Sequence, residues 1–255
     1  MLYYLILGEK NLTCSYIYIL KRLFLWANSL RKLGLNIDVV NNIKTVSLTH
    51  LHLGHIDGLG IFGNECMGCD QNSINLIASK PVIDQLQKKS LLEPFSSTII
   101  EDQSQVKLGR GVKIEFHRVP HREDEVGDTH AIVIRGDEQS ILFLPDHDTY
   151  NETLKWHKMD TIREWFKKLS VQIVLIDGTF YNYDEIGNRR KDAKNIPHPS
   201  IESSLNLLGK REEGDPEIYF IHLNHTNTLI DNVAHRMNVL KSGWGIGSQG
   251  HVFEL

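Results

Sequence analysis

The chain has 255 residues, of which 41% are hydrophobic and 24% charged, and 28 basic side chains stand against 32 acidic ones for a net charge of −4. That balance describes a globular protein with a core of its own. It excludes the strongly cationic surface that neutralising nucleic-acid phosphates requires, and the apolar content is enough to offset chain entropy, so a disordered chain is not expected. Three cysteines cannot close a disulfide framework. The unusual count is 13 histidines, the side chain most often used as a nitrogen ligand for zinc.

Residues 1–30 are rich in apolar side chains, but Glu9-Lys10 and Lys21-Arg22 interrupt them. Neither piece reaches the ~20 apolar residues of a spanning helix, and no positive stretch precedes the first run as in a secretory signal. A cytoplasmic protein with no membrane association is the expectation, and Leu12-Thr13-Cys14 is at most a faint echo of a lipoprotein cleavage site. Apolar, β-branched runs then predict strands at Ile43–Leu48, Ile74–Ala78, Val112–Val119, Ala131–Ile134, Ile141–Leu144, Val171–Ile176 and Ile218–Ile221. Helical spacing predicts helices at Ile17–Leu33, Pro81–Lys89, Asn151–Leu169, Ile201–Leu208 and Leu229–Leu240, with Asn151 capping the third. Strands arrive in clusters separated by single helices. This pattern favours sheets packed together with helices outside over a doubly wound parallel sheet. With no repeat and no Pro/Gly-rich linker, residues 1–255 read as one domain.

Residues 45–55 read TVSLTHLHLGH, a β-branched strand running into His50, His52 and His55. Side chains repeat every two residues along a strand, so His50 and His52 point the same way; His55 can face them from the start of a helix. The same grammar recurs at four further strand ends. Val119 leads to His121, Leu144 to Asp146-His147-Asp148, Ile176 to Asp177, and Ile221 to His222. Five such ends gathered on one rim would make a metal site. His225, three residues after His222, is expected to face elsewhere or to support the site from outside.

The ordered set THLHLGH, VPHRE, FLPDHD, IDGTF, IPHP and FIHLNHTN resembles the metallo-β-lactamase superfamily, and within it the branch that contains pyrroloquinoline quinone biosynthesis protein B. The resemblance runs from about Ile43 to Leu255 and implies an α/β (α+β) fold, an αββα sandwich of two mixed sheets with outer helices. It implies one or two zinc ions, the first held by His50, His52 and His121, with Asp146 bridging and His55 and His222 on the second. His198 and Asp177 match positions beside the substrate that assist proton transfer. The implied activity is a metallohydrolase acting on an ester-type small molecule, phosphodiester or lactone-like and anionic. A role in quinone-cofactor biosynthesis and a non-catalytic binding protein stand as alternatives.

Two departures bear on that implication. The family's first motif usually reads H-x-H-x-D-H, but Gly54 stands where the aspartate ligand of the second metal belongs, and Asp57 lies on a different side of a helix start. Residues 1–42 match the family's opening strands poorly. Other motifs have blander readings. Gly245-Ile246-Gly247-Ser248-Gln249-Gly250 has no room for a following helix and reads as a terminal hairpin turn. Cys66-Met67-Gly68-Cys69 lacks a second cysteine pair, Arg189-Arg190-Lys191 reads as a solvated loop, and Arg122 is a candidate partner for an anionic substrate group. The N-x-T triplets at Asn11, Asn151 and Asn224 read as chance matches.

Overall fold

A computed structural model describes residues 6–7, 17–18, 43–63, 74–109, 111–121, 128–186, 196–248, 251–253 and 255. The described elements begin with β1 (Ile6–Leu7), β2 (Ile17–Tyr18) and β3 (Thr45–Ser47), then α1 (Leu53–Ile56) running into a 3-10 turn at Asp57–Phe62. Next come β4 (Ile74–Ser79), α2 (Lys80–Lys88), β5 (Phe95–Ile100), β6 (Gln105–Gly109), β7 (Val112–Val119), β8 (Thr129–Arg135) and β9 (Ser140–Leu144). The chain continues through α3 (Tyr150–His157), α4 (Ile162–Leu169), β10 (Ile173–Asp177), α5 (Tyr183–Ile186), α6 (Ile201–Leu208) and β11 (Glu217–Ile221). A 3-10 turn at Thr228–Ile230 precedes α7 (Val233–Lys241), β12 (Gly245–Ile246) and β13 (Val252–Phe253).

Two sheets carry the molecule. One has the order β12-β11-β10-β9-β8-β7-β6, the other β2-β3-β4-β5, and β1 pairs separately with β13. The large sheet is mixed, whereas the described strands of the small one all run parallel. Alternation along the strands builds the layers. Ala131 and Val133 of β8, Leu142 and Leu144 of β9, and Val174 and Ile176 of β10 pack under α3, α4, α6 and α7. Their neighbours Ile132, Ile134, Ile141, Phe143, Ile173 and Leu175 point the other way and meet Ile77 and Ile100 of the small sheet. On that sheet's outer side α2 buries Val82, Ile83 and Leu86. The result is the expected αββα sandwich.

Strand direction decides where the loops go. β9, β10 and β11 are mutually parallel. β7 is antiparallel to β8, which is antiparallel to β9, so β7 also runs with that set. Their four carboxyl ends therefore share one edge, and β8 begins there. The small sheet is stitched to this edge where His130 N–H donates to the Thr49 carbonyl at 3.0 Å, just past β3.

Several expectations need correction. The single helix over 151–169 is two helices. Lys158 adopts a left-handed conformation that ends α3, and Thr161 opens α4 with a full capping box to Glu164. The cap of α3 is Thr149, which accepts from Glu152 N–H, and not Asn151. Ile17–Tyr18, expected at a helix start, is strand, and 19–33 lie outside the described residues. The helix expected from Leu229 starts at Val233, where Asn232 caps it. Gly245–Ile246 extends the large sheet parallel to β11 and makes no hairpin. The strands β5 and β6 went unread because each is the edge of its sheet, with exposed positions where a central strand has apolar ones.

α4 buries Ile162, Trp165, Phe166 and Leu169, the spacing of one helical face, and each such side chain is worth roughly 1.5–3 kcal/mol. Thr161→Ala removes the box that starts this helix and should cost about 1 kcal/mol in urea unfolding. Asn151→Ala, on an exposed position of α3, should stay within about 0.5 kcal/mol of wild type; equal losses in both would contradict the two-helix arrangement.

Candidate metal centre

The shared edge collects the histidines and carboxylates. His50 and His52 follow β3, His55 sits in α1, and His121 follows β7. Asp146 follows β9, Asp177 closes β10, His222 follows β11, and His198 lies in the segment leading into α6. Backbone bonds tie these loops into a rim. Asp148 N–H donates to the Pro120 carbonyl at 2.7 Å, Asn224 N–H to that of Thr179 at 3.0 Å, and Ile201 N–H to that of Phe180 at 3.0 Å.

Asp146 stands at the middle, 2% exposed. Its Oδ2 lies 2.8 Å from His55 Nε2 and 3.9 Å from His50 Nε2. Its Oδ1 lies 3.4 Å from His222 Nε2 and 3.4 Å from His198 Nδ1. On the His50 side, His52 Nδ1 is 2.9 Å from His50 Nε2 and 3.2 Å from His121 Nε2. Ligand-type atoms of His50, His52 and His121 thus form one cluster, those of His50, His55 and Asp146 a second, and those of His121, Asp146 and His198 a third. A fourth joins Asp177, His198 and His222. All eight side chains picked out in the sequence belong to these overlapping groups. His225 is exposed and belongs to none of them.

Supporting side chains occupy the far ring nitrogens. Thr49 Oγ1 is 3.0 Å from His50 Nδ1 and Thr179 Oγ1 is 2.6 Å from His222 Nδ1; Asp148 Oδ1 approaches His121 Nδ1 to 3.3 Å without a hydrogen bond. A partner on Nδ1 leaves Nε2 facing inward, the usual way a protein sets an imidazole to meet a metal. Thr49, Asp148 and Thr179 carried no role in the sequence reading. The signal was their place beside a histidine or aspartate at a strand end.

Protonation follows from burial. Burial and the neighbouring His55 hold the His50 pKa well below its ordinary value, which favours the neutral ring. Burial alone would raise Asp146, but the facing His55, His50 and His198 keep its pKa well below the usual carboxylate range. A neutral His50 beside an ionised Asp146 is the state in which such a pair accepts a cation.

The residues fit a metal ion. His222 Nε2 is buried without a hydrogen-bond partner, which is costly unless something else meets its lone pair. Bonds of 2.0–2.1 Å around a tetrahedral zinc put neighbouring ligand atoms about 3.3 Å apart. Most of the separations among the ligand-type atoms, 2.8 to 3.4 Å, lie close to that spacing, and His50 Nε2 and Asp146 Oδ2 are wider apart at 3.9 Å. At the position of the missing aspartate, Gly54 in α1 offers no donor, and the Asp57 side chain is outside the described residues, as are Arg122, Cys66, Cys69 and the 189–191 cluster.

Backbone geometry beside His222 is tight. His222 has φ +63°, a left-handed conformation uncommon outside glycine, and this turns it out of the β11 line. Opposite it, a Cβ on Gly178 would lie 2.7 Å from the Ile221 carbonyl oxygen and 3.1 Å from Phe220 Cβ. Asn227 Nδ2 donates to the Gly178 carbonyl at 2.6 Å and holds the two turns together.

A two-sheet sandwich with histidines and carboxylates converging on one edge is the architecture of the metallo-β-lactamase class. A model of the beta-lactamase superfamily domain matches residues 25–223, well over half of the sequence, and the chain belongs to that family. No curated protein matches it. Among solved structures it is similar to Zn(2+)-bound PqqB from Methylobacterium extorquens, with 19% identity, TM-score 0.63, and coverage of 84% of this chain and 74% of that one. It is also similar to unliganded yeast PDE1, with 15% identity, TM-score 0.59 and coverage of 84% and 69%. A diphosphatase of the PhnP family matches with 14% identity, TM-score 0.54 and coverage of 94% and 78%. Among the described residues no helix is long and apolar enough to cross a membrane.

Gly178→Ala must displace backbone and should cost about 1–3 kcal/mol. Because the displaced carbonyl precedes His222, metal content should fall with the melting temperature. A variant that melts lower yet keeps full metal content would separate the turn from the centre.

Proposed function

We propose that the chain is a zinc-dependent hydrolase that cleaves an ester-type bond, phosphodiester or lactone-like, in a small anionic molecule. The observation that carries this reading is the buried carboxylate of Asp146 with four histidine rings against its two oxygens, beside a buried His222 Nε2 that no hydrogen bond satisfies. His50, His52, His121 and Asp146 would hold the first ion, and Asp146, His55 and His222 a second. When bound, zinc supplies a water acidified toward pKa ~7 and a Lewis acid for the substrate oxygen. His198 and Asp177 handle the proton. With Nδ1 2.6 Å from Asp177 Oδ2, Nε2 would be the atom that protonates a leaving oxygen. The fold likeness to a diphosphatase is compatible with a phosphorus centre.

Gly54 favours a second reading, in which the second position is empty and the protein binds a ligand without turning it over. Elemental analysis of the purified protein separates the two. Wild type should carry zinc, and metal should drop in His52→Ala and in Asp146→Ala. Hydrolysis of bis(p-nitrophenyl) phosphate should vanish on chelation and return with added zinc. Unchanged metal content in both variants would remove these residues from the ligand set; metal without hydrolysis of any ester would support the binding protein. Gly54→Asp restores the missing carboxylate and should raise zinc content by about one ion per chain if the second position is short of a donor.

A further inference from the structure

Thr179 sits between the two functional halves of the centre. Its Oγ1 lies 2.7 Å from Asp177 Oδ1, 2.6 Å from His222 Nδ1 and 3.2 Å from His198 Nδ1. A hydroxyl has one proton to give. Asp177 is fully buried; its Oδ1 accepts both the Thr179 N–H and the Thr179 O–H, and its Oδ2 lies 2.6 Å from His198 Nδ1. The Thr179 proton therefore goes to Asp177, and Oγ1 can only accept from His222. His222 must then carry its proton on Nδ1, which leaves the Nε2 lone pair pointing toward Asp146 Oδ1 at 3.4 Å. A carboxylate already accepting on Oδ1 takes the role of acceptor on Oδ2 as well, which puts a proton on His198 Nδ1.

We infer that Thr179 is a positioning residue whose single hydroxyl sets the tautomer of His222 and, through Asp177, that of His198. It thereby couples the imidazole facing the metal position to the one that carries the proton. The inference rests on the hydrolase reading for its consequence in turnover, but the relay itself is a property of the folded chain. Thr179→Val keeps the β-branched shape and the backbone N–H that also holds Asp177, and removes only the hydroxyl. Its effect is thus separable from a packing defect, and a melting curve checks the fold.

The test is two-bond proton–nitrogen NMR on the full chain labelled with 15N-histidine, read metal-stripped and zinc-loaded, together with a zinc titration. Wild type should show His222 and His198 protonated on Nδ1. In Thr179→Val the His222 tautomer should no longer be fixed, and zinc should bind about 10–100-fold more weakly, the usual loss when a ligand's hydrogen-bond partner is removed. Thr179→Ser should restore both. A His222 protonated on Nε2 in the metal-stripped wild type overturns the relay without any variant. So does a Thr179→Val protein with wild-type tautomers and zinc affinity, or a serine variant that restores neither. Because the tautomers are also read without metal, failure of the relay is distinct from an absence of zinc binding, which would instead sink the hydrolase reading.

Discussion

Burying the charge of Asp146 is the constraint around which the rest is arranged. An isolated carboxylate removed from water costs many kcal/mol, and such a group normally takes up a proton instead. Here it does not, because four imidazoles face its two oxygens. Yet those rings compensate imperfectly. The pKa of His50 is itself held low by burial and by a neighbouring histidine, and His222 Nε2 is left without a hydrogen-bond partner. A cation at the centre removes both costs at once, since it meets the carboxylate charge and the imidazole lone pairs together.

Sheet topology supplies the convergence. Had β7 run against β9, His121 would lie a strand's length away from Asp146; the two antiparallel steps through β8 bring both to one edge. The loops that leave this edge are short of freedom, being bonded to one another from Pro120 to Asp148 and from Thr179 to Asn224. Rigid strands and stitched loops hold the donor atoms in place before any ion arrives, and so reduce the ordering that binding would otherwise demand.

The central strands were legible in the sequence because both of their faces are buried, and an apolar β-branched run is the mark of such a strand. Val112–Val119 has the bounds expected of it, and β9 and β10 lie within a residue or two of theirs. The site was legible for a related reason: chemistry placed at strand ends follows each apolar run in the sequence. Edge strands such as Gln105–Gly109 lacked that contrast. The division of α3 from α4 was written in Thr161-x-x-Glu164, but the apolar face continues across the break in the one-dimensional pattern and hides it. Distance relations such as Thr179 to His222 depend on how β10 and β11 twist together. No local pattern carries them.

Charge orders the two metal positions. On the proposed reading, His50, His52, His121 and Asp146 would give the first position four donors with one negative charge, a familiar composition for a single zinc. The second would have His55, His222 and a share of the same carboxylate, while Gly54 offers no anion to separate two dications. Asp177 cannot fill that gap cheaply. It is fully buried, and its oxygens are spent on Thr179 and His198. Recruiting it to an ion would strip the support from His198 and His222 together. On the proposed reading, therefore, the first position fills first and holds harder, and whether the second fills at all depends on what a substrate's own oxygens contribute. An anionic substrate could supply the charge that Gly54 does not, and ligand and metal would then bind cooperatively.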